Sequence, residues 1–193
     1  MAAKQPWHLL FWSFFMNKTE KKQTFSFRRS LSAFLITALL IIFDQYTKHL
    51  AVKGLGDGKH IPLIPGVLEL AFIRNRGAAF GILQDARIFF FIITAAAFCV
   101  IGYVLFRIPR TSYYTPLRIC LYFIAAGAAG NLIDRILLSY VRDFIYFSLI
   151  DFPIFNVADI YITCSAFALV LLMIFYYKDD QDFDFLKKQQ GDT

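Results

Sequence analysis

Four apolar segments, each long enough to cross a bilayer, constrain this chain more than any other feature of its sequence. They cover residues 31–52, 88–106, 117–138 and 155–177. About 20 helical residues span the roughly 30 Å hydrocarbon core of a membrane. Hydrophobic residues make up 58% of the chain, whereas soluble domains contain about 45–50%. The segments therefore predict an all-α polytopic membrane protein with four transmembrane helices, and they exclude a soluble or disordered chain.

The sequence divides into one membrane domain with an extension at each end. Residues 31–177 form the predicted four-helix domain, and residues 178–193 form a polar cytoplasmic tail that we expect to be mobile. Residues 1–30 form an N-terminal extension at the cytoplasmic face. Its apolar run at residues 9–16 is too short to span a bilayer and precedes no small-residue cleavage site. We therefore favour an interfacial anchor over a cleaved signal peptide.

Lysine and arginine are unequally divided between the two sides of the predicted bundle. If the four helices alternate in direction, twelve basic residues lie on the side of the two termini and six on the other side. Cytoplasmic segments of membrane proteins carry the excess of positive charge. We therefore expect both termini in the cytoplasm, and the net charge of +6 reports topology. No basic stripe interleaved with aromatic residues points to a nucleic acid.

The stretch between the first two helices has the pattern of a strand. Residues 67–74 alternate, with Leu68, Leu70 and Phe72 on one face, and a loop containing Gly54, Gly56 and Gly58 precedes them. We expect a small β-sheet on the outer membrane surface between helices 1 and 2.

Three of the four apolar segments contain charged residues. Each charge costs about 2.5–3.5 kcal/mol at the centre of a membrane helix, so a chain retains it mainly for function. In the predicted orientation, four carboxylates approach the same outer face. They are Asp44, Asp134, Asp143 and Asp159.

The spacing of polar residues suggests several local contacts and leaves their purpose open. Asp44 and Lys48 are one helical turn apart and can pair. The pair either neutralises itself while Lys48 extends to the interface, or binds a polar or anionic head group. Asn131 and Arg135 have the same spacing and could orient a carboxylate. The small residues at 127–130 favour tight helix packing.

Asn75 and the small residues after it allow two interpretations. Gly77 and Ala79 would let a ligand approach the backbone closely, but a simple turn explains them equally well from local sequence.

Asp143 and Asp159 support the most specific hypothesis. Two carboxylates in a low-dielectric site share one proton, so one can take a proton from water while the other donates to a carbonyl oxygen. Asn156 lies three residues before Asp159 and faces the same way. The alternative is that Asp143 is a solvated loop acid and Asp159 a helix N-terminal acid favoured by the helix dipole.

Other chemistries have little support in the sequence. His8, His49 and His60 show no metal spacing, and Cys99, Cys120 and Cys164 lie in apolar runs where we expect inert buried thiols. A proton-relay transporter would use acids spread across the membrane depth, and a scaffold gives no reason for paired aspartates. The string at residues 54–57 matches the Gly-x-Gly-Asp motif of another intramembrane aspartyl protease group, but it lies in a polar loop.

Five strings in order resemble the type II, or lipoprotein, signal peptidase family. They are DQYTK at 44–48, NRGAAF at 75–80, GNLIDR at 130–135, VRDF at 141–144 and FNVAD at 155–159. The resemblance implies a membrane aspartyl endopeptidase of four helices in the bacterial plasma membrane, with cytoplasmic termini and an active site near the outer face. Such an enzyme removes the signal peptide of a diacylglyceryl-modified prolipoprotein just before the lipidated cysteine.

The resemblance also implies roles for individual residues. Asp143 and Asp159 correspond to the catalytic dyad, whereas Asp134 is not the catalytic acid. Substrate binding or support of the dyad falls to Asp44, Lys48, Asn75, Gly77, Ala79, Asn131, Arg135, Asn156 and Ala158. Gln45 and the sheet could hold the segment near the lipidated cysteine. Ala126 and Ser139 stand at or near positions where the family often has glycine. The implied partners are prolipoproteins and membrane lipid, with no metal, cofactor, nucleic acid or obligatory oligomer.

Overall fold

The chain forms four long helices, as the apolar segments predict. The computed structural model describes residues 27–56, 58–77 and 87–187. Within them lie α1 (Phe27–Leu55), α2 (Arg87–Arg107), α3 (Thr115–Leu137) and α4 (Val157–Phe175). Each contains a segment long and apolar enough to cross a membrane. The predicted interfacial anchor at residues 9–16 lies outside the described residues, and α1 begins at Phe27, inside the predicted extension.

Helix α3 is the centre of the bundle because it packs against each of the other three helices. Its small residues make this possible. A Cβ on Gly127 would collide with the carbonyl oxygen of Ala158, and one on Gly130 would collide with the carboxylate of Asp44. The predicted role of residues 127–130 in tight packing is thus confirmed, and it brings α1 and α4 close to the same face of α3.

A three-stranded antiparallel sheet lies beside one end of the bundle. Its strands are β1 (His60–Ile64), β2 (Leu68–Asn75) and β3 (Val141–Tyr146), in that order. The first two confirm the predicted sheet between helices 1 and 2. The third comes from the connection between α3 and α4, which the alternating pattern did not identify. It pairs Ile73 with Asp143, and Asn75 with Val141.

The connection from β3 to α4 folds back on the strand. Phe155 accepts hydrogen bonds from the backbone N–H groups of Phe144 and Ile145 and returns one to Ile145. This pairing brings the start of α4 beside β3. Residues 143 and 159 come together because the chain between them forms a closed hairpin.

The far end of the bundle is closed by the C-terminal segment. Asp180–Leu186 forms a 3₁₀ helix, and Arg107 donates from Nε to the carbonyl oxygen of Phe185 at 2.7 Å. The expectation of a mobile tail is wrong for these residues. Phe183 and Phe185 pack against an apolar cluster. The segment therefore buries aromatic surface, although its overall composition is acidic.

Candidate active site

Asp143 lies on β3 and is 2% exposed, so the solvated loop acid proposed as an alternative is wrong. Side chains alternate along a strand, so Val141 and Asp143 share one face while Arg142 and Phe144 share the other. The first face borders a cavity at the end of the bundle. The second faces the helices, where Phe144 packs in a buried cluster with Ala51 and Leu55.

Two asparagines hold the carboxylate of Asp143. Asn75 donates from Nδ2 to Oδ2 at 2.7 Å, and Asn156 donates from Nδ2 to Oδ1 at 2.6 Å. Asn75 reaches Asp143 from the neighbouring strand because their positions are diagonal in the sheet register. Each carboxylate oxygen therefore has an amide donor that fixes its orientation.

Asp159 occupies the first turn of α4, as the third residue of that helix. Its Oδ1 accepts from Nδ2 of Asn131 at 2.8 Å, and its Oδ2 accepts from the backbone N–H of Asn156 at 3.0 Å. Asn156 is the N-cap and its Oδ1 accepts in return from the N–H of Asp159. Asp159 is thus a helix N-terminal acid, as the alternative held, but it also faces the cavity that Asp143 borders.

A buried ion pair between Asp44 and Lys48 holds Asn131, the asparagine that donates to Asp159. Lys48 Nζ lies 2.9 Å from Asp44 Oδ2 and donates to Asn131 Oδ1 at 2.9 Å. Asp44 Oδ1 accepts from the N–H of Ala158 at 3.0 Å. The predicted pairing of Asp44 and Lys48 is confirmed. Both side chains are completely buried, so the suggestion that Lys48 extends to the interface is wrong.

Arg142 and Gln45 have structural positions that the sequence did not reveal. Arg142 donates to both carboxylate oxygens of Asp134, from Nη2 at 2.6 Å and from Nε at 3.1 Å. Gln45 donates to Asp134 Oδ1 and accepts from Arg142 Nη2 at 2.8 Å. The amide of Gln45 is bound within this network, and its suggested contact with the substrate stays a prediction.

The environment of Asp143 raises the pKa of its carboxyl group to about 7. Burial is the main cause, because a low-dielectric site penalises the charged form, and the negative charge of Asp159 adds to it. The hydrogen bonds from Asn75 and Asn156 act in the opposite direction. Burial therefore favours a protonated carboxyl at Asp143 more than at an exposed aspartate.

The cavity beside the two aspartates has a volume of about 470 Å³. Its polar lining brings together several residues expected at the site: Asn75, Gly77, Asn131, Arg135, Asp143 and Asp159. Arg135 lies over the ring of Phe90, 4.3 Å from the ring centre. Gly77 donates its N–H to Asn75 Oδ1 at 2.9 Å, so a turn orients Asn75. Ala79 lies outside the described residues.

The apolar lining of the cavity is formed mainly by residues 152–155 and by α4. Cys164 is part of this wall and is exposed, as is Cys99, while Cys120 is buried. The prediction of three buried thiols is therefore wrong for two of them. An apolar wall facing a polar lining suits an extended peptide, with one carbonyl placed beside the two acids.

Comparison with known proteins identifies this arrangement with one family. The model of the family described as signal peptidase (SPase) II matches residues 36–175. A lipoprotein signal peptidase of Brevibacillus brevis is 48% identical over 138 residues, covering 72% of this chain and 91% of that protein. One from Caldanaerobacter subterraneus is 44% identical over 144 residues, covering 74% of this chain and 96% of that protein.

Solved structures share the fold. A bacterial membrane enzyme structure superposes with a TM-score of 0.69 at 32% identity, covering 84% of this chain and 94% of that one. A second bacterial membrane enzyme structure gives 0.66 at 34% identity, covering 75% and 94%. The residues that the family model matches, 36–175, include both aspartates.

Proposed function

The chain belongs to the signal peptidase II family, and we propose that it cleaves lipid-modified prolipoproteins with a water molecule activated by Asp143 and Asp159. As a lipoprotein signal peptidase it is a multi-pass bacterial membrane protein. The proposal concerns the residues that perform the chemistry, the bond that is cleaved and the side of the membrane on which cleavage occurs.

The position of Asn156 is the observation that carries the proposal. This buried residue donates to Asp143 from its side chain and to Asp159 from its backbone, and it accepts from the N–H of Asp159. A single residue thus fixes the orientation of both carboxylates. Fixed acid and base groups at a cavity are what a hydrolytic site requires, because proton transfer depends on a maintained geometry.

The proposed reaction follows from one shared proton. The ionised carboxylate removes a proton from water as the water oxygen attacks the scissile carbonyl carbon, and the protonated carboxyl donates its proton to the carbonyl oxygen. The tetrahedral gem-diol then collapses: its amide nitrogen takes the proton of one carboxyl, the carbon–nitrogen bond breaks, and one of its two hydroxyl groups gives a proton to the other carboxylate. The products are the signal peptide acid and the new amino terminus, and the dyad again holds one proton.

The surroundings of the cavity support a substrate that approaches from the bilayer. The acids lie at the end of the bundle, where β3 and the start of α4 meet the cavity. We propose that this is the outer end, with both termini in the cytoplasm, because basic residues favour the opposite side. The signal helix would remain in lipid while the peptide bond before the diacylglyceryl cysteine enters the cavity.

The same clustering weighs against a proton relay. Asp44, Asp134, Asp143 and Asp159 gather around one end of α3, whereas a relay needs ionisable groups along the membrane depth. Two of these acids, Asp44 and Asp134, are paired with buried cations.

Cleavage of matched precursors tests the proposed substrate and bond. Purified protein in lipid nanodiscs is incubated with one prolipoprotein prepared with and without the diacylglyceryl group, and mass spectrometry identifies the new amino terminus. We expect cleavage of the lipid-modified precursor alone, with the lipidated cysteine as first residue. Equal cleavage of both precursors, or a new terminus at another residue, would contradict the proposal.

A further inference from the structure

Arg142 directly precedes Asp143, yet it points away from the cavity. Its guanidinium binds both oxygens of Asp134, and its backbone N–H donates to Asp134 Oδ2 at 2.9 Å. The Arg142 side chain is 14% exposed, and that of Asp134 is completely buried. Three hydrogen bonds therefore tie the residue next to Asp143 to helix α3.

Asp134 links Arg142 to Lys48, which contacts the residues that hold Asp159. Asp134 Oδ2 lies 3.6 Å from Lys48 Nζ, which lies closer to Asp44 and to Asn131, at 2.9 Å each. Asn131 in turn donates to Asp159. Lys48 thus stands between a carboxylate that Arg142 neutralises and the asparagine that orients Asp159.

We propose that Arg142 is a positioning residue of the peptidase. It neutralises Asp134 so that Lys48 stays on Asp44 and Asn131, and it anchors β3 beside Asp143. The inference rests on the proposed function, because it assumes that Asp143 and Asp159 perform the chemistry. It adds a residue outside the cavity whose charge controls the arrangement inside it.

Charge balance provides the physical reason. A completely buried carboxylate cannot be left without a cation, since breaking a buried ion pair is far more costly than losing an exposed one. Without Arg142, Asp134 would draw on Lys48 as its remaining cation among the described contacts. Movement of Lys48 toward Asp134 would leave Asn131 Oδ1 with the longer bond from Asn156 Nδ2 at 3.1 Å, and Asn131 would hold Asp159 less firmly.

The contacts of Arg142 also predict how well a lysine could replace it. A guanidinium presents a planar pair of donors to the two oxygens of a carboxylate, whereas an ammonium acts as a single point of charge. Arg142→Lys keeps the charge and loses the paired geometry. Arg142→Gln loses both, and Asp134→Asn combined with Arg142→Gln removes the two opposite charges together.

The test measures kcat and KM for the lipid-modified precursor in the full-length protein. We expect Arg142→Gln to lower kcat about 10- to 100-fold, since small displacements of reacting groups cost about that much, with KM changed less than about threefold. Arg142→Lys should recover part of the loss. The double variant should recover kcat relative to Arg142→Gln, because it leaves no unpaired charge.

The pH profile separates positioning from simple loss of folding. The charged groups that face Asp143 and Asp159 from the surrounding elements are Asp44, Lys48, Asp134 and Arg135. Removing the charge of Arg142 makes this environment more negative, so both limbs of the profile should move to higher pH. Asp134→Asn should move them to lower pH, and the double variant should restore them.

Arg74 provides a matched control. It lies opposite Arg142 in the sheet register, but it is exposed and stands over the ring of Tyr140 at 5.6 Å. Arg74→Gln removes the same charge from the neighbouring strand, and we expect kcat within about twofold of the wild type because exposed charges are screened by solvent.

The outcomes separate this inference from the proposed function. If Asp143→Asn retains cleavage, the proposed dyad fails, whatever Arg142 does. If Asp143→Asn is inactive but Arg142→Gln keeps normal kcat and pH limbs, the role of Arg142 is refuted. Loss of activity that merely follows the folded fraction, with unmoved pH limbs and no recovery in Arg142→Lys, would also refute it.

Discussion

The two ends of the helix bundle bury different chemistry. At the active-site end, the largest completely buried side chains are polar or charged, beside a small apolar cluster of Ala51, Leu55 and Phe144; the polar ones are Asp44, Lys48, Asp134, Asp143 and Asn156. At the tail end, the buried cluster is apolar and aromatic: Ile101, Ile108, Tyr114, Leu117, Leu121 and Tyr177. Here Asp182 is also completely buried, and it accepts from the hydroxyl of Tyr113 at 3.0 Å.

The contrast separates the parts that stabilise the fold from the parts that perform chemistry. Aromatic rings stack at the tail end, where Tyr113 and Tyr176 have centres 5.0 Å apart, and such contacts stabilise a fold directly. Buried charges at the active-site end cost desolvation, which hydrogen bonds only partly offset. We therefore expect substitutions at the active-site end to affect cleavage most, and substitutions at the tail end to affect stability most.

The largest expected effect is on the two acids. Asp143→Asn or Asp159→Asn should lower kcat by about 10²–10⁴-fold, because neither amide can exchange the proton that the reaction needs. Folding should persist, since asparagine retains the size of aspartate and needs no charge in a buried site. Cleavage of the lipid-modified precursor and thermal unfolding are measured on the same preparations.

Asp151 supplies the control for those variants. It lies in the same hairpin with φ of +49°, a conformation that asparagine also accepts, and its carboxylate is exposed and binds the hydroxyl of Tyr146. Asp151→Asn should therefore leave kcat within about twofold. A similar loss in all three variants would show that acids in this region act on folding and not on chemistry.

The next effect in size concerns the asparagines around Asp143. Asn156→Ala should lower kcat about 10²-fold, because Asp143 Oδ1 loses its amide donor and the first turn of α4, which carries Asp159, loses its N-cap. The same loss of the N-cap should lower the free energy of unfolding by about 1–2 kcal/mol. Asn75→Ala should have a smaller effect on kcat, since Asp143 keeps its bond to Asn156. Steady-state kinetics and chemical denaturation measure both, and the reverse order would contradict the role given to Asn156.

At the tail end we expect substitutions to change stability and to leave cleavage nearly unchanged. Asp182→Ala removes an acceptor of the half-buried Tyr113 hydroxyl and of the Asp179 N–H, and it should lower the free energy of unfolding by about 1–3 kcal/mol. Cleavage per folded molecule should stay within about twofold. Asp184→Ala, at an exposed residue paired with Lys187, should change neither quantity appreciably. Loss of kcat in folded Asp182→Ala would show that the two ends are coupled.

The smallest predicted effect concerns the turn between α3 and β3. Ser139 has φ of +75°, a conformation that costs a residue with a side chain about 1–2 kcal/mol relative to glycine. Ser139→Gly should therefore raise the free energy of unfolding by about 1 kcal/mol and leave kcat unchanged. Ser139→Ala keeps the Cβ atom and should give no gain. A gain in the alanine variant would assign the effect to the hydroxyl group.

The four membrane helices and the pair of Asp44 and Lys48 could be predicted from the sequence. Apolar segments of about 20 residues and a spacing of one helical turn are local patterns. No local pattern distinguishes Asp143 from Asp134 as a catalytic acid, so that assignment depended on the family resemblance. Strand β3 was missed because its residues become a strand by pairing with β2, which lies far away in the chain.

Two further features of the structure were not predicted from the sequence, for similar reasons. No sequence pattern marked Arg142, since only the alternation of β3 turns it toward Asp134 while Asp143 faces the cavity. The tail was expected to be mobile because its composition is acidic. In the structure, Asp182 and the nearby Phe183 and Phe185 pack against tyrosines that lie just before α3 and just after α4.

The pH dependence of kcat tests the shared proton at the centre of this account most directly. With the pKa of Asp143 near 7, activity should fall as pH rises above about 7, because the proton-donating acid becomes ionised. It should also fall at low pH, as the dyad takes up a second proton and loses its base. We predict a bell-shaped profile for the pair. A flat profile, or one with a single limb, would contradict the one-proton dyad.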